Sequence, residues 1–353
     1  LKRLSGLLFY WQEKIMITAV RLENFGPLPD LHWDGLGSVN LILGANGSGK
    51  TFLLKALYSA LRTLEMHGRG QEPRALNEIL AEKLYWTFQQ DKIGDLVRKG
   101  ADTPLSLQMT MNNERFAYRF GRDTTRSITG LESSVSPRSS NSIFLPPKEV
   151  LSLQQVILKS RVQDQEFGFD DTYFDLAQAL STSTSRGKNF EAFALSRKSL
   201  GKLLGGRISQ NPKTQSWAFS NDRKQKFEIG VTAEGIKKLG ILDTLLGNRY
   251  LSEESVIFID EPESALHPKA IEQFMEIILL LAKGGMQFFI ATHSYFVIKK
   301  LYLLAQREKR SIPVISHDAN AWQCSNLRQG MLENPIIEES INLYRQEVEL
   351  ALR

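Results

Sequence analysis

Eight consecutive residues, Gly44-Ala45-Asn46-Gly47-Ser48-Gly49-Lys50-Thr51, match the pattern G-x-x-x-x-G-K-[ST] in full. The chemistry of that pattern is phosphate binding. Glycines let backbone N–H groups curl around phosphate oxygens without Cβ clashes. A helix starting near Lys50 would point its positive end at the anion. Lys50 brings a mobile charge for the β- and γ-phosphates, and Thr51 a hydroxyl for Mg2+. Far along the chain, "SVIFIDEPESALHP" (255–268) is an apolar run ending in paired carboxylates. Asp260 can hold Mg2+ through water, and Glu261, one residue on, is placed to polarise an attacking water as a general base.

These groups need elements to carry them. "VNLIL" runs into the glycine loop and "TFLLKALYSALRTLEM" leaves it with apolar residues at helical spacing. That is the strand–loop–helix context a phosphate loop requires. "IMITAVRLE" reads as an opening strand, and 105–121 as a hairpin turning at Asn-Asn. Residues 62–100 read as mostly helical and polar, 122–142 as a Ser/Thr-rich loop, and "SIFLPPKEVLSL" as a strand stopped by a Pro pair. Residues 150–204 read as helical, interrupted by "STSTSRGK", with a second hairpin after them. "TAEGIKKLGILDTLLG", "SVIFID", "KAIEQFMEIILLLAKGG", "QFFIATHS" and "YFVIKKLYLLAQREKR" then alternate helix and strand, the pattern of a parallel α/β core.

At this point the chain resembles the ABC-type ATPase heads of the RecF, SMC and OLD group, and stand-alone AAA-family ATP-binding proteins of bacterial defence. "DEPESALHP" resembles their Walker B and D-loop, and "VRLENFGPL" their opening strand. "TAEGIKKLG" (232–240) holds the place of their signature helix, and "FFIATHS" (288–294) resembles the strand ending in the switch histidine, here His293. The resemblance covers 16–58 and 228–300. It implies a three-layer P-loop head with an antiparallel β-subdomain and an inserted helical lobe. Residues 1–15 would be an extension before a natural start at Met16. The core would be split between 16–60 and 225–320, with a β/helical lobe inserted at about 61–224. It further implies ATP held with Mg2+ between two heads. Lys50, Thr51, Asp260, Glu261 and His293 would act in one subunit, while the Gly235 region and Ser264 would come from the other. Glycine at a helix N-terminus can present N–H groups to a γ-phosphate, and a histidine can sense that phosphate's loss.

Two departures stand out. Ala233, beside Thr232, occupies the place of the signature serine, and the lid-loop glutamine has three candidates, Glu149, Gln154 and Gln155. Slow ATP hydrolysis is therefore expected. Lys237-Lys238 and Lys299, Lys300, Arg307, Lys309 and Arg310 are either solvated helix faces or contacts to nucleic acid. His267 reads as a turn stabiliser, His32 and His317 as structural or surface residues, and Asp318 as a turn residue.

The bulk numbers agree with such a head. With 353 residues, 42% hydrophobic, the chain suits one large domain with an insertion. No apolar run reaches the ~18–20 residues of a membrane span. The single cysteine, Cys324, excludes a disulfide framework and fits a cytoplasmic location. A net charge of +5 permits nucleic-acid contact without arguing for it. About 60 residues follow His293, so no appended nuclease is expected. By analogy with similar heads, the partners would be a second head and a separate effector, a nuclease or toxin, in phage defence or DNA maintenance. The alternatives are a non-catalytic ATP-switched scaffold that sequesters a partner, and a transporter motor.

Overall fold

The structure is a computed structural model that describes residues 16–70, 74–183, 190–318 and 321–352. The expected extension at 1–15 and most of "STSTSRGK" lie outside the described residues. The chain opens with β1 (Ile17–Glu23) and β2 (Leu31–Asp34), then β3 (Val39–Leu43), all of whose residues are buried. The glycine loop leads into α1 (Lys50–Met66) through Gly49, whose φ of 90° is a left-handed conformation that suits glycine. α2 (Leu76–Phe88) packs on α1, and its Leu80 and Leu84 are fully buried. The segment that reads as polar therefore contributes to the core. β4 (Leu105–Met111) and β5 (Glu114–Phe120) form the expected hairpin. Asn112 and Asn113 both take positive φ, 50° and 68°, as a tight two-residue turn requires.

The supposed loop at 122–142 is not all loop, because Gly130–Ser133 pairs with β5 as the edge strand β6. Its Ser- and Thr-rich composition is tolerated because an edge strand leaves one side to water. β7 (Ile143–Leu145) is followed by α3 (Gln154–Lys159), α4 (Asp171–Leu180) and α5 (Glu191–Leu204). A small antiparallel sheet, β8 (Gly206–Gln210), β9 (Trp217–Asn221) and β10 (Lys226–Glu228), adds a third strand to the expected second hairpin. The remaining elements are α6 (Glu234–Gly247), β11 (Val256–Asp260), α7 (Pro268–Lys283), β12 (Gln287–Thr292), α8 (Tyr295–Glu308), β13 (Pro313–Asp318), β14 (Ala321–Asn326) and α9 (Pro335–Ala351).

The central sheet runs β14-β13-β3-β12-β11-β7, parallel from β13 to β7, with β14 antiparallel at one edge. β3, β11 and β12 are buried along their whole length, as parallel strands covered on both faces must be. Alternate residues feed two cores. Leu41, Leu43, Ile257, Ile259, Phe288 and Ile290 face one core with α4 to α8. Ile42, Val256, Phe258, Phe289 and Ala291 face the other, with α1, α2 and the antiparallel sheet β2-β1-β4-β5-β6. The result is the layered head that the resemblance implies. Residues 61–224 contribute strands to all three sheets.

A buried ionic cluster ties the helical lobe to α1 and α2. Lys83 donates to Asp171 at 2.7 Å and to Asp175 at 2.9 Å, and the Tyr58 hydroxyl donates to Asp175 at 2.6 Å. Burial works to raise the Asp175 carboxyl, but Lys83 and Arg62 outweigh it and hold it below the usual carboxylate range.

Candidate nucleotide site

The strand order gathers the chemistry at one edge. The phosphate loop leaves the C-terminal end of β3, Asp260 ends β11, and β12 lies between them, so His293 emerges between the two motifs. Ligands of open α/β sheets bind at this edge. The loop itself is built for close approach. Gly47 and Gly49 have positive φ, and a Cβ on Gly44 would fall 2.4 Å from the Ser48 hydroxyl. That hydroxyl is buried and has no hydrogen-bond partner in the protein. Lys50 is buried and folds back, its ammonium donating to the Gly44 and Ala45 carbonyls at 2.8 and 2.9 Å. Burial lowers its pKa, and Asp260, Glu261 and Glu263 partly restore it.

Thr51 donates from its hydroxyl to Asp260 Oδ2 at 2.7 Å. Burial raises the Asp260 carboxyl, with the Thr51 hydrogen bond working against the rise. Its other oxygen, Oδ1, is buried and unpartnered. A hydroxyl and a carboxylate with an open oxygen are the hard donors Mg2+ takes, so the residues fit that ion. Glu261 extends the sheet by one bond, its N–H donating to the Ala291 carbonyl at 2.9 Å, and then turns sharply at φ 48°. Its carboxylate Oε1 lies 3.5 Å from His293 Nδ1.

Two functional-looking residues escape the motif reading. Glu263 accepts from the Thr292 hydroxyl at 2.7 Å and from the His293 N–H at 3.4 Å, so it orients the histidine's turn. Its place in the acidic turn two residues after Glu261 was the available signal. Lys238, on α6, donates to the Glu261 carbonyl and, at 2.7 Å, to the Ser264 hydroxyl. Burial pushes its pKa down to about 8.

Gly235 and Ser264 are placed apart from this group. The cavity beside the phosphate loop is lined by neither, and Ser264 faces a separate groove with Pro147, Glu149 and Lys238. The Ser264 hydroxyl donates to the Pro147 carbonyl at 2.8 Å, so it is engaged within its own subunit. Gly235 lies in the first turn of α6, where a Cβ would fall 2.5 Å from the Ala265 carbonyl oxygen. The N-cap Ala233 makes no side-chain cap bond, and Thr232 donates to the Glu228 carbonyl at 3.0 Å.

Some of the other readings change, while those of His267, His32 and His317 stand. Gln154 is buried in a different network, donating to the Ala177 carbonyl at 2.8 Å and accepting from the Trp217 indole at 2.6 Å. Glu149 accepts from Lys237 at 3.3 Å and faces the Ser264 groove, and Gln155 is exposed. None of the three lines the phosphate-loop cavity. Lys237 and Lys238 are buried in bonds to this chain's own oxygens and form no solvated face. Lys300 pairs with Glu276 at 2.8 Å, and buried Arg310 donates to Ser38 at 2.9 Å. His267 is the N-cap of α7, its Nδ1 accepting from the Lys269 N–H at 3.2 Å. His32 pairs with Asp34 on the surface, and His317 packs against Trp322.

This fold, with these motifs at one sheet edge, defines an ABC-type ATPase head of the RecF, SMC and OLD group. The chain belongs to the family described as "AAA domain, putative AbiEii toxin, Type IV TA system", whose model matches residues 39–299. It is 34% identical over 92 residues to the Old nuclease of Escherichia phage P2, a match covering 26% of this chain and 13% of that protein. It is 38% identical over 64 residues to the DNA replication and repair protein RecF of Francisella tularensis subsp. novicida (strain U112), covering 18% and 17%. The matched regions thus span under a fifth of either relative. The fold is similar to an Smc head bound to the C-winged helix domain of ScpA (TM-score 0.52, 15% identity, 88% of this chain and 97% of that one). It is also similar to an Smc head with an extended coiled coil bound to the C-terminal domain of ScpA from Pyrococcus furiosus (0.51, 14%, 94% and 99%). Among the described residues, no helix is long and apolar enough to cross a membrane.

Proposed function

We propose that the chain binds and slowly hydrolyses ATP, pairs with a second head around the nucleotide, and uses that pairing to control a separate effector. The observation that carries the reading is the convergence of Lys50, Thr51, Asp260, Glu261 and His293 at the C-terminal edge of one sheet. Lys50 would leave the loop carbonyls for the β- and γ-phosphates. Thr51 and Asp260 would hold Mg2+, which supplies charge neutralisation to the phosphates. Glu261, with its carboxylate beside His293, would take a proton from the attacking water. Glu263 would keep His293 in place through the Thr292 turn.

Pairing is supported by what the single subunit leaves outside its cavity. The first turn of α6 carries Gly235 and has no side-chain cap, so its N–H groups suit an anion brought by another subunit. Ser264 would have to exchange its internal bonds before reaching across. Control of an effector is supported by relatives alone: one is named a nuclease, and two structural neighbours are heads bound to a domain of another protein. Phage defence or DNA maintenance, in the cytoplasm, is the setting that such partners suit. Nucleic acid remains a candidate trigger, to be met by surfaces other than Lys237 and Lys238.

Phosphate release and light-scattering mass with and without MgATP test the reading on the wild type, Lys50→Ala and Glu261→Gln. The wild type should release phosphate and double its mass with ATP. Lys50→Ala should lose both, and Glu261→Gln should keep the larger mass while release falls about 100-fold or more. A wild type that releases no phosphate would sink the hydrolytic part, and mass unaffected by ATP would sink the pairing.

A further inference from the structure

The cavity beside the phosphate loop is larger than phosphates and a metal ion need. It measures about 590 Å3, with Asp170 and Glu261 lining it between two walls. One is the loop with Phe52 and Lys55; the other is the C-terminal end of α2, contributing Thr87, Phe88 and Gln89. Pockets of ~300–1,000 Å3 hold whole cofactors. The α2 wall carries no positive charge, so it adds nothing to the charge neutralisation that the loop and Lys50 supply.

The α2 wall has chemistry of another kind. The Thr87 hydroxyl and Gln89 Nε2 are both buried and have no hydrogen-bond partner, although buried polar groups are nearly always paired. Phe88 lies against Phe52 with ring centroids 4.6 Å apart, and Phe52 directly follows Thr51. The wall therefore sets a tilted aromatic pair, Phe88 against the residue that follows the phosphate loop, beside two buried polar atoms left without partners. Gln89 is also the C-cap of α2 with φ 52°, a position that favours glycine or asparagine. Local backbone preference does not explain a glutamine there.

We infer that the end of α2 is the nucleoside subsite of this cavity, with Gln89 selecting adenine over guanine and Phe88 and Phe52 forming the apolar wall beside the base. The inference rests on the nucleotide reading above and extends it to the base. A carboxamide has one donor and one acceptor side by side. Adenine presents the complementary pair, the N6 donor and N7 acceptor, whereas guanine presents two acceptors, N7 and O6. A glutamine in this wall pairs fully with the first and leaves a mismatched acceptor against the second. The Thr87 hydroxyl, able to donate and accept, suits a ribose hydroxyl.

The test measures equilibrium binding of ATP, GTP and inorganic tripolyphosphate by the full chain, in the wild type, Gln89→Ala, Gln89→Gly and Lys50→Ala. Gln89→Gly suits the positive φ, so it keeps the fold intact if alanine strains it. The wild type should prefer ATP over GTP by about ten- to a hundredfold, the discrimination of a two-bond base contact. Both Gln89 variants should lose most of that preference through weaker ATP binding, with tripolyphosphate affinity unchanged. An ATP-to-GTP ratio that both variants leave unaltered, while Lys50→Ala abolishes binding of all three, overturns the subsite and spares the phosphate site. Binding of ATP that Lys50→Ala does not weaken overturns the nucleotide reading itself.

Discussion

Lys238→Met separates the stability of the head from the posture of Glu261. The ammonium is buried on α6 and donates to the Glu261 carbonyl and the Ser264 hydroxyl. Burial takes its pKa from 10.5 to about 8, against the pull of Glu263, Asp260 and Glu261. At 1.36 kcal/mol per pH unit, keeping that charge in the folded state costs about 3 kcal/mol at neutral pH. The folded pKa lies below the unfolded one, so the unfolded chain binds more protons between pH 8 and 10.5. Stability contributed at this site therefore rises with pH across that window and is flat below it. Urea unfolding in EDTA, without nucleotide, checks this. The wild type should gain about 3 kcal/mol relative to Lys238→Met from pH 7.5 to pH 10.5, while groups common to both chains cancel. Near pH 7 the variant escapes the burial cost and forfeits two charged hydrogen bonds, roughly 1.5–3 kcal/mol each, so it should be less stable than the wild type by no more than about 3 kcal/mol. Phosphate release should nonetheless fall, by about 100-fold, because the carbonyl that Lys238 holds belongs to the sharply turned Glu261. A stability difference that does not change with pH, or a variant with full activity, would refute the reasoning.

Other consequences follow from the packing. Gln154→Ala should lower unfolding stability by about 3 kcal/mol, because it leaves the Trp217 indole N–H buried without its partner; denaturant titration with unchanged ATP affinity would separate this structural role from a lid role. Gly235→Ala should destabilise by about 1–3 kcal/mol despite alanine's better helix propensity, since its Cβ meets the Ala265 carbonyl oxygen. Gly201→Ala, in α5 with open space around its Cβ, should stabilise by up to about 1 kcal/mol; thermal unfolding of the pair gives opposite signs if the contact at Gly235 is what matters.

How far the chain could be read before folding depended on whether a function is written in contiguous backbone or assembled from distant side chains. The phosphate loop, the acidic end of β11 and the strand leading to His293 are contiguous, and each carries its own turn chemistry, so they were legible. The hairpin at Asn112-Asn113 was legible for the same reason. Lys237 and Lys238 were not, because a lysine pair in a helix looks solvated until Glu149 and the Glu261 carbonyl, brought from other elements, are seen to claim the two ammoniums. Gln154 follows the Pro-Pro stop as a lid glutamine would, yet Trp217 takes it from 63 positions away. β6 hid in Ser-rich composition because pairing with β5 outweighs local propensity at an edge. Gln89 had no motif to announce it, and its standing rests on two unpaired buried atoms beside a loop 40 residues upstream. One consequence reaches beyond recognition. Lys238 ties α6 to the residue proposed as general base within one subunit, and Gly235 sits one turn earlier on the same helix. A nucleotide brought by a second head to the N-terminus of α6 would therefore act on Glu261 in the receiving subunit as well. The two sites of a paired head would then be coupled through the Lys238 contact, and a mixed dimer carrying Lys238→Met in one subunit should show that coupling lost on one side alone.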